Sequence, residues 1–241
     1  MYQSYFWHFI NLFRQKVVLL LFVALLGLSG TASAQLNYLE YVNKKLYFGI
    51  TMGVNISTYK YSPSEAFTYN DTILNIGAKR GPGFNLGIIT NLKLGKHFDL
   101  RFVPALSFAD KSLEFTLYND SIVSKNIESI NINFPISLRL KSKPINDMRI
   151  YVLAGLKYNL DLASNAKARL AEDQIKIGRH DFSYEYGIGV QFFFPLFIFS
   201  PEIKISNGLY NVHAVNNNLI YSGVLDKLQT RTILISFHFE G

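Results

Sequence analysis

The sequence predicts an all-β fold: an eight-stranded antiparallel up-and-down transmembrane β-barrel. Three observations predict it. Stretches of strict apolar/polar alternation recur along the chain, the connections between them alternate short and long, and the chain opens with an export leader. Period-two alternation puts one residue type on each face of a strand. In the clearest stretch, Leu46, Phe48, Ile50, Met52, Val54 and Ile56 share one face. Tyr47, Gly49, Thr51, Gly53, Asn55 and Ser57 share the other.

Residues 1–34 read as a signal peptide. Arg14 and Lys16 supply positive charge, and Val17 to Leu28 is an apolar run too short for the roughly 20 residues of a spanning helix. Ala32-Ser33-Ala34 is a small-x-small cleavage site, which would leave Gln35 as the new N-terminus. The competing reading is an uncleaved anchor. Residues 35–45 are then a short periplasmic lead-in and 46–241 one barrel domain. The chain has no cysteine, so disulfides, thiolate metal sites and lipid attachment at a cysteine are excluded. The net charge of +7 raises the question of nucleic acid. Its basic residues are scattered, with no aromatic and Lys/Arg cluster on one strand face, and no nucleic-acid partner is expected.

The second strand starts at Gly83, with Phe84, Leu86, Ile88, Leu92 and Leu94 on its apolar face and Thr90 as a polar exception. The turn Gly95-Lys96-His97 leads to the third, where Phe98, Leu100, Phe102, Leu106 and Phe108 alternate with Asp99, Arg101, Ala105 and Ser107. The pattern runs on through Leu113, Phe115 and Leu117, so this hairpin should project beyond the membrane. The fourth strand carries Ile130, Ile132, Phe134, Ile136, Leu138 and Leu140. It ends at the turn signal Lys143-Pro144-Ile145-Asn146-Asp147. The fifth runs Met148 to Asn159 and the sixth Phe182 to Phe192, broken by Pro195. The seventh spans Phe197 to Ser206, and the eighth Thr232 to Phe239. Lys60 to Arg80, Asp161 to His180 and Asn207 to Asp226 read as long loops, with a possible short helix over 163–174.

An even strand count with alternating connections sets the orientation. Short turns lie in the periplasm with both termini, and four long connections lie outside. Phenylalanines (Phe98, Phe192, Phe194, Phe197, Phe199, Phe237, Phe239) gather at the periplasmic ends. Tyrosines (Tyr59, Tyr61, Tyr118, Tyr158, Tyr184) gather toward the outer ends, as two interfacial girdles would. Alternation alone does not say which face points out, but volume does. The interior of an eight-stranded barrel is filled by its own side chains. About six large apolar residues from each strand could not fit there, while the Gly, Ser, Asn and Thr face could. Eleven positions tilted by ~40–45° give a band of about 27 Å, close to the ~25 Å of an outer-membrane barrel.

The inward face carries Lys93, Asp99, Arg101, Arg139, Arg149, Lys157, Glu185, Glu202 and Lys204. Buried charges pair or stay hydrated. The bland reading is a salt-bridged plug that fixes the barrel's shape; the sharper one is a polar path for a small solute. His97, His180, His213 and His238 stand at no metal-ligand spacing, and no Ser/His/acid spacing singles out an acyl hydrolase. No cofactor, metal or catalytic residue is expected. Gly77 to Gly83 is glycine-rich without a phosphate-loop Lys-Ser/Thr and reads as a loop. Lys79, Arg80, Lys167, Arg169, Lys176 and Arg179 on outer loops are candidates for contact with lipopolysaccharide phosphates.

Lys45-Leu46-Tyr47-Phe48-Gly49 resembles the Lys-x-x-Phe-Gly opening of the PorT family. Phe199 to Asn211 (FSPEIKISNGLYN) is similar to that family's seventh strand, and Leu228 to Glu240 (LQTRTILISFHFE) to its closing strand. The resemblance covers the layout from the first strand onward and is strongest over about residues 180 to 240. It implies an outer-membrane barrel of Bacteroidetes required for type IX protein secretion and, in gliding species, for motility. Partners would be outer-membrane lipid, lipopolysaccharide and other secretion subunits. A filled lumen cannot pass a folded protein, so the role implied is that of an accessory or assembly subunit. Pro201 withholds a ladder donor within a strand and suggests a bulge or a partner contact. The alternatives are a stand-alone structural or adhesive barrel with lipid- or surface-binding loops, and an outer-membrane enzyme.

Overall fold

Ten strands arise where the sequence alternates: β1 (Leu46–Pro63), β2 (Ile73–Lys79), β3 (Gly81–Lys93), β4 (Phe98–Phe102), β5 (Ala105–Leu117), β6 (Ile122–Lys141), β7 (Met148–Asp161), β8 (His180–Phe193), β9 (Ile198–Gly208) and β10 (Leu225–Glu240). Two single turns of helix, α1 (Glu65–Thr68) and α2 (Ile220–Gly223), sit in the connections. The computed structural model describes residues 41, 44–69, 71–163, 175, 177–214 and 220–241. The signal-peptide and cleavage-site readings lie outside these residues. So do Lys167, Arg169, Lys176 and nearly all of the possible helix over 163–174.

The sheet closes on itself. Neighbours run β1–β10–β9–β8–β7–β6–β4, then β3, and β3 pairs back to β1. All pairings are antiparallel. β4 and β5 are one strand of the ring interrupted at Val103-Pro104. Thr90 opposes Phe102 and Gly87 opposes Ala105, so the register is unbroken across the proline. The ring therefore has eight strands, as the alternation predicts.

Exposure settles the face. Ile50 is 57% exposed and Ile88 60%, while Asp99 and Arg139 are 0% exposed. This inverts the usual rule of apolar residues inside, and a continuous outward apolar belt of this kind is a lipid-facing surface. No helix among the described residues is long and apolar enough to cross a membrane. Phe192, Phe199, Phe237, Phe239 and Phe197 pack ring against ring, stacked or tilted, at the end holding the short turns. At the other end Phe134 stacks on Tyr158, which meets Phe182 at a tilt, and Phe182 meets Tyr210 edge-on.

The outer end departs from the sequence reading. Lys60 to Arg80 is no plain loop: β1 runs on to Pro63, and β2 pairs with β5. Gly77 to Lys79 belong to β2 and Gly81 to Gly83 to β3. Lys79 opposes Ser112 and Gly83 opposes Ala109, so one extra residue bulges between them. Gly81 is needed there, because a Cβ would sit 1.7 Å from the Asp110 carbonyl oxygen. β5 and β6 pair out to Thr116 and Ile122 and turn through Asp120, whose φ of 58° suits an Asp. Pro201 makes no bulge. Gly189 opposes Glu202 and Phe192 opposes Phe199, the same register on both sides.

Leu113 and Phe115 face inward and are fully buried, not outward with Leu106 and Phe108. Tyr59 likewise points in, 3% exposed, instead of joining the outer girdle. Inward parity never changes along β5; the residue type on each parity does. Outward positions turn polar at Lys60, Asp110 and Arg231, all exposed, which marks the upper edge of the lipid belt. Above that edge the outside solvent is water, so the apolar side chains move to the inside. They form a cap with Ile73, Ile76, Ile177, Val212, Val224, Leu225 and Leu228. Tyr41, Tyr47, Phe193 and Ile198 form a smaller cluster at the periplasmic end.

Candidate functional site

Between the two apolar clusters the lumen holds a network of charges to which every strand of the ring contributes. Alternation aims these side chains inward, and register brings them level: Asp99 on β4 opposes Arg139 on β6. Arg139 Nη2 donates to Asp99 Oδ2 at 2.6 Å, to Asn91 Oδ1 (β3) at 3.0 Å and to the Tyr47 hydroxyl (β1) at 2.5 Å. Lys141 pairs with the other Asp99 oxygen. Arg101 Nη1 reaches Glu202 Oε2 (β9) at 3.2 Å, and its Nη2 pairs with Glu240 (β10). The Tyr151 hydroxyl (β7) donates to Glu202 Oε2 at 2.8 Å. Lys204 lies 3.4 Å from both Glu185 (β8) and Glu202. His238 Nε2 is 3.3 Å from Glu202 Oε1.

Of the residues singled out from the sequence, Asp99, Arg101, Arg139, Glu185, Glu202 and Lys204 thus stand in one connected set. Arg149 is placed nearer the periplasmic end, with its Nε donating to Gln191 Oε1 at 2.6 Å and its guanidinium over the Phe193 ring. Lys93 donates to the Tyr41 carbonyl and lies over the Tyr47 ring. Lys157 stands higher, on the wall of a cavity, without a hydrogen-bond partner among the described residues. The sequence reading left out Tyr47, Asn91, Lys141, Tyr151, His238 and Glu240 as network members. All lie at the same strand parity as the residues it named, and that parity was the signal for them.

Four cations (Arg101, Arg139, Lys141, Lys204) meet four carboxylates (Asp99, Glu185, Glu202, Glu240), so this layer needs no counterion from outside. Both guanidiniums sit over the Tyr151 ring, 5.7 and 4.8 Å from its centroid. That ring in turn lies against Gly189, where a Cβ would come within 2.4 Å of Tyr151 Cζ. Gly189→Ala should therefore push the phenol off Glu202 and cost about 1–3 kcal/mol, as overpacking does. Urea titration of the detergent-solubilised barrel measures this.

Above the network lies a cavity of about 70 Å³ reaching from His238 and Lys204 to Arg179 and Val212 under the apolar cap. In the cap's outer loop His213 Nε2 is 2.7 Å from Ser222 Oγ, the two buried. This is a Ser/His pair that no sequence spacing revealed. Ser222 is 0% exposed and no carboxylate of the described residues hydrogen-bonds His213, so a substrate cannot reach a nucleophile here. The pair instead pins α2 to the loop. Burial pushes His213 below its ordinary value of 6.5, with the nearby Asp226 backbone and charge pulling the other way. A group that resists protonation when folded gives stability that is whole above pH 6.5 and falls as pH drops below it. Amide exchange over Tyr221–Leu225, corrected for intrinsic rate, should quicken below that pH, and His213→Gln should flatten the dependence. Among the described residues no group of three His, Asp or Glu side chains could hold a metal.

Comparison with known proteins places this architecture. Residues 33–214 match the family model described as outer membrane protein beta-barrel domain. No curated protein matches the chain. Solved structures that resemble it include Ail, the attachment invasion locus protein of Yersinia pestis, in complex with the heparin analogue sucrose octasulfate. It is 15% identical, covering 82% of this chain and 100% of that one, with a TM-score of 0.37. OprG from Pseudomonas aeruginosa is 12% identical, covering 80% and 95%, with a TM-score of 0.40. With the family match spanning most of its length, an outward apolar belt and a closed eight-strand ring, this chain belongs to the outer membrane protein β-barrel domain family and resides in the outer membrane.

Proposed function

We propose that the protein is a non-enzymatic barrel that serves type IX secretion as an accessory or assembly subunit, not as the conduit. The observation that carries the non-conduit role is the lumen. Paired side chains from every strand fill it at the level of Asp99, Arg139 and Glu202, and no folded cargo passes a ring of this size. The secretion role itself is supported by the PorT-like segments Phe199 to Asn211 and Leu228 to Glu240. Partners would then meet the surfaces left free, the lipid belt and the outer extension of β2, β5 and β6. Deleting the gene and assaying secreted cargo tests the role: loss of cargo export supports it, and normal export rejects it.

A second reading, a stand-alone barrel whose outer surface meets lipopolysaccharide, is supported by the exposed Arg80 and Arg179. Lys79 serves it less well, being 3.2 Å from Glu114. Lipopolysaccharide co-purifying equally with wild type and with Arg80 and Arg179 neutralised would reject this reading.

A further inference from the structure

The charge network neutralises itself, but the cavity above it does not. Lys111 on β5 lines that cavity at 6% exposure. Its ammonium makes no ion pair or hydrogen bond among the described residues and rests only over the Tyr59 ring, 4.9 Å from the centroid. Lys157 on β7 lines the same space, half-buried and likewise unpaired. Arg179, exposed and on the cavity wall, marks where it meets the outside. Lys204, at the floor, is already held by Glu185 and Glu202.

Asn159 on β7 and Asp181 opposite it on β8 offer acceptors beside Lys157. Asp181 is 7% exposed and takes hydrogen bonds from Thr230 at 2.6 Å and Asn159 at 3.1 Å, all on Oδ2; its Oδ1 accepts none from the described residues. Asn159 Oδ1 accepts none either. Buried polar atoms in folded proteins nearly always have partners, and a buried ammonium without a carboxylate is costly. Lys111, Lys157 and Arg179 share the cavity with the carboxylates of Asp161 and Asp181, which leaves one positive charge over; that charge and the two idle acceptors together ask for a molecule that carries one negative charge and hydroxyl donors. Its size follows from the cavity. The volume of about 70 Å³ holds about five to seven waters at roughly 10–15 Å³ each, or one small organic molecule in their place.

We propose that this cavity is a binding site for a small hydroxylated carboxylate entering from the outer side, its carboxylate between Lys111 and Lys157 and its hydroxyls on Asp181 Oδ1 and Asn159 Oδ1. The charge-assisted bonds to the two lysines supply the affinity. The acceptors supply selectivity, because a ligand without hydroxyls leaves them buried and unmet. The site is separate from any secretion role, since it needs no partner chain.

The test is calorimetric titration of the full-length mature barrel in detergent with three probes of similar size: threonate, butyrate and erythritol. Threonate is expected to bind, to raise the unfolding temperature by mass action and to exceed butyrate and erythritol by about tenfold or more. Lys111→Met and Lys157→Met should each weaken threonate about tenfold, while migrating as folded on unboiled gels. Asp181→Asn should narrow the gap between threonate and butyrate. Absence of threonate binding to the wild type overturns the proposal. So does equal binding of the three probes, which indicates a hydrated lumen only. The three-probe comparison needs no variant, so a substitution that fails to fold leaves the test intact.

Discussion

Asp99→Ala is expected to cost about 3–5 kcal/mol of stability, the penalty for stranding buried charges, and so to be among the most damaging single changes in the chain. Asp99 is the only carboxylate that Lys141 pairs with among the described residues, and it accepts from Arg139 at 2.6 Å and from Tyr47 at 3.3 Å. All four side chains are buried below the reach of lipid or bulk water. Removing the carboxylate leaves the Lys141 ammonium without a carboxylate among the described residues and Arg139 with Glu240 alone, 3.8 Å away. The chain is expected to fold into micelles slowly or incompletely, read as loss of the fast-migrating form on unboiled gels and a lower urea midpoint. Replacing Asp99, Arg139 and Lys141 together by Leu, Met and Met should recover much of the loss, because an apolar core strands no charge. A single alanine variant as stable as wild type would mean that the network is hydrated, not paired.

Val54→Arg is expected to destabilise by about 2–4 kcal/mol, the cost of a cation at the bilayer midplane of a barrel. Val54 is 56% exposed and pairs with Ile235 on one side and Phe84 on the other, so its neighbours on the outer face are apolar. The same change at Thr58, beside Arg231 at the polar edge of the belt, should cost about 0–1 kcal/mol, as interfacial positions do. Both are read by reversible folding into lipid vesicles. Equal costs at the two positions would mean that the apolar belt does not contact lipid.

Much of this architecture was legible because a strand has only two faces. Once Leu46 to Ile56 is placed outside, Thr51, Asn55 and Tyr59 are inside whatever else the chain does. Tyr59 shows where reading by residue type misled: a tyrosine near the outer end suits a girdle, yet its parity aims it into the lumen. The phase slip between Phe108 and Leu113 was likewise visible. Its meaning was not, since the alternation does not say that the medium outside the strand changes there from lipid to water. The cap and the β2–β5 pairing join residues distant in sequence, and no local pattern carries such pairings.

The sequence by itself determined that the chain is a barrel, how many strands the ring has, and which face meets lipid. These follow from period-two alternation, connection lengths and the limited volume of an eight-strand interior. Only the tertiary structure decided which inward charges find partners. Parity places a side chain in the lumen, but register sets its height, and height puts Arg101 between Glu202 and Glu240 while leaving Lys111 and Lys157 facing a cavity. Charge pairing acts over a few ångströms, and those few ångströms are fixed by strands far apart in the chain.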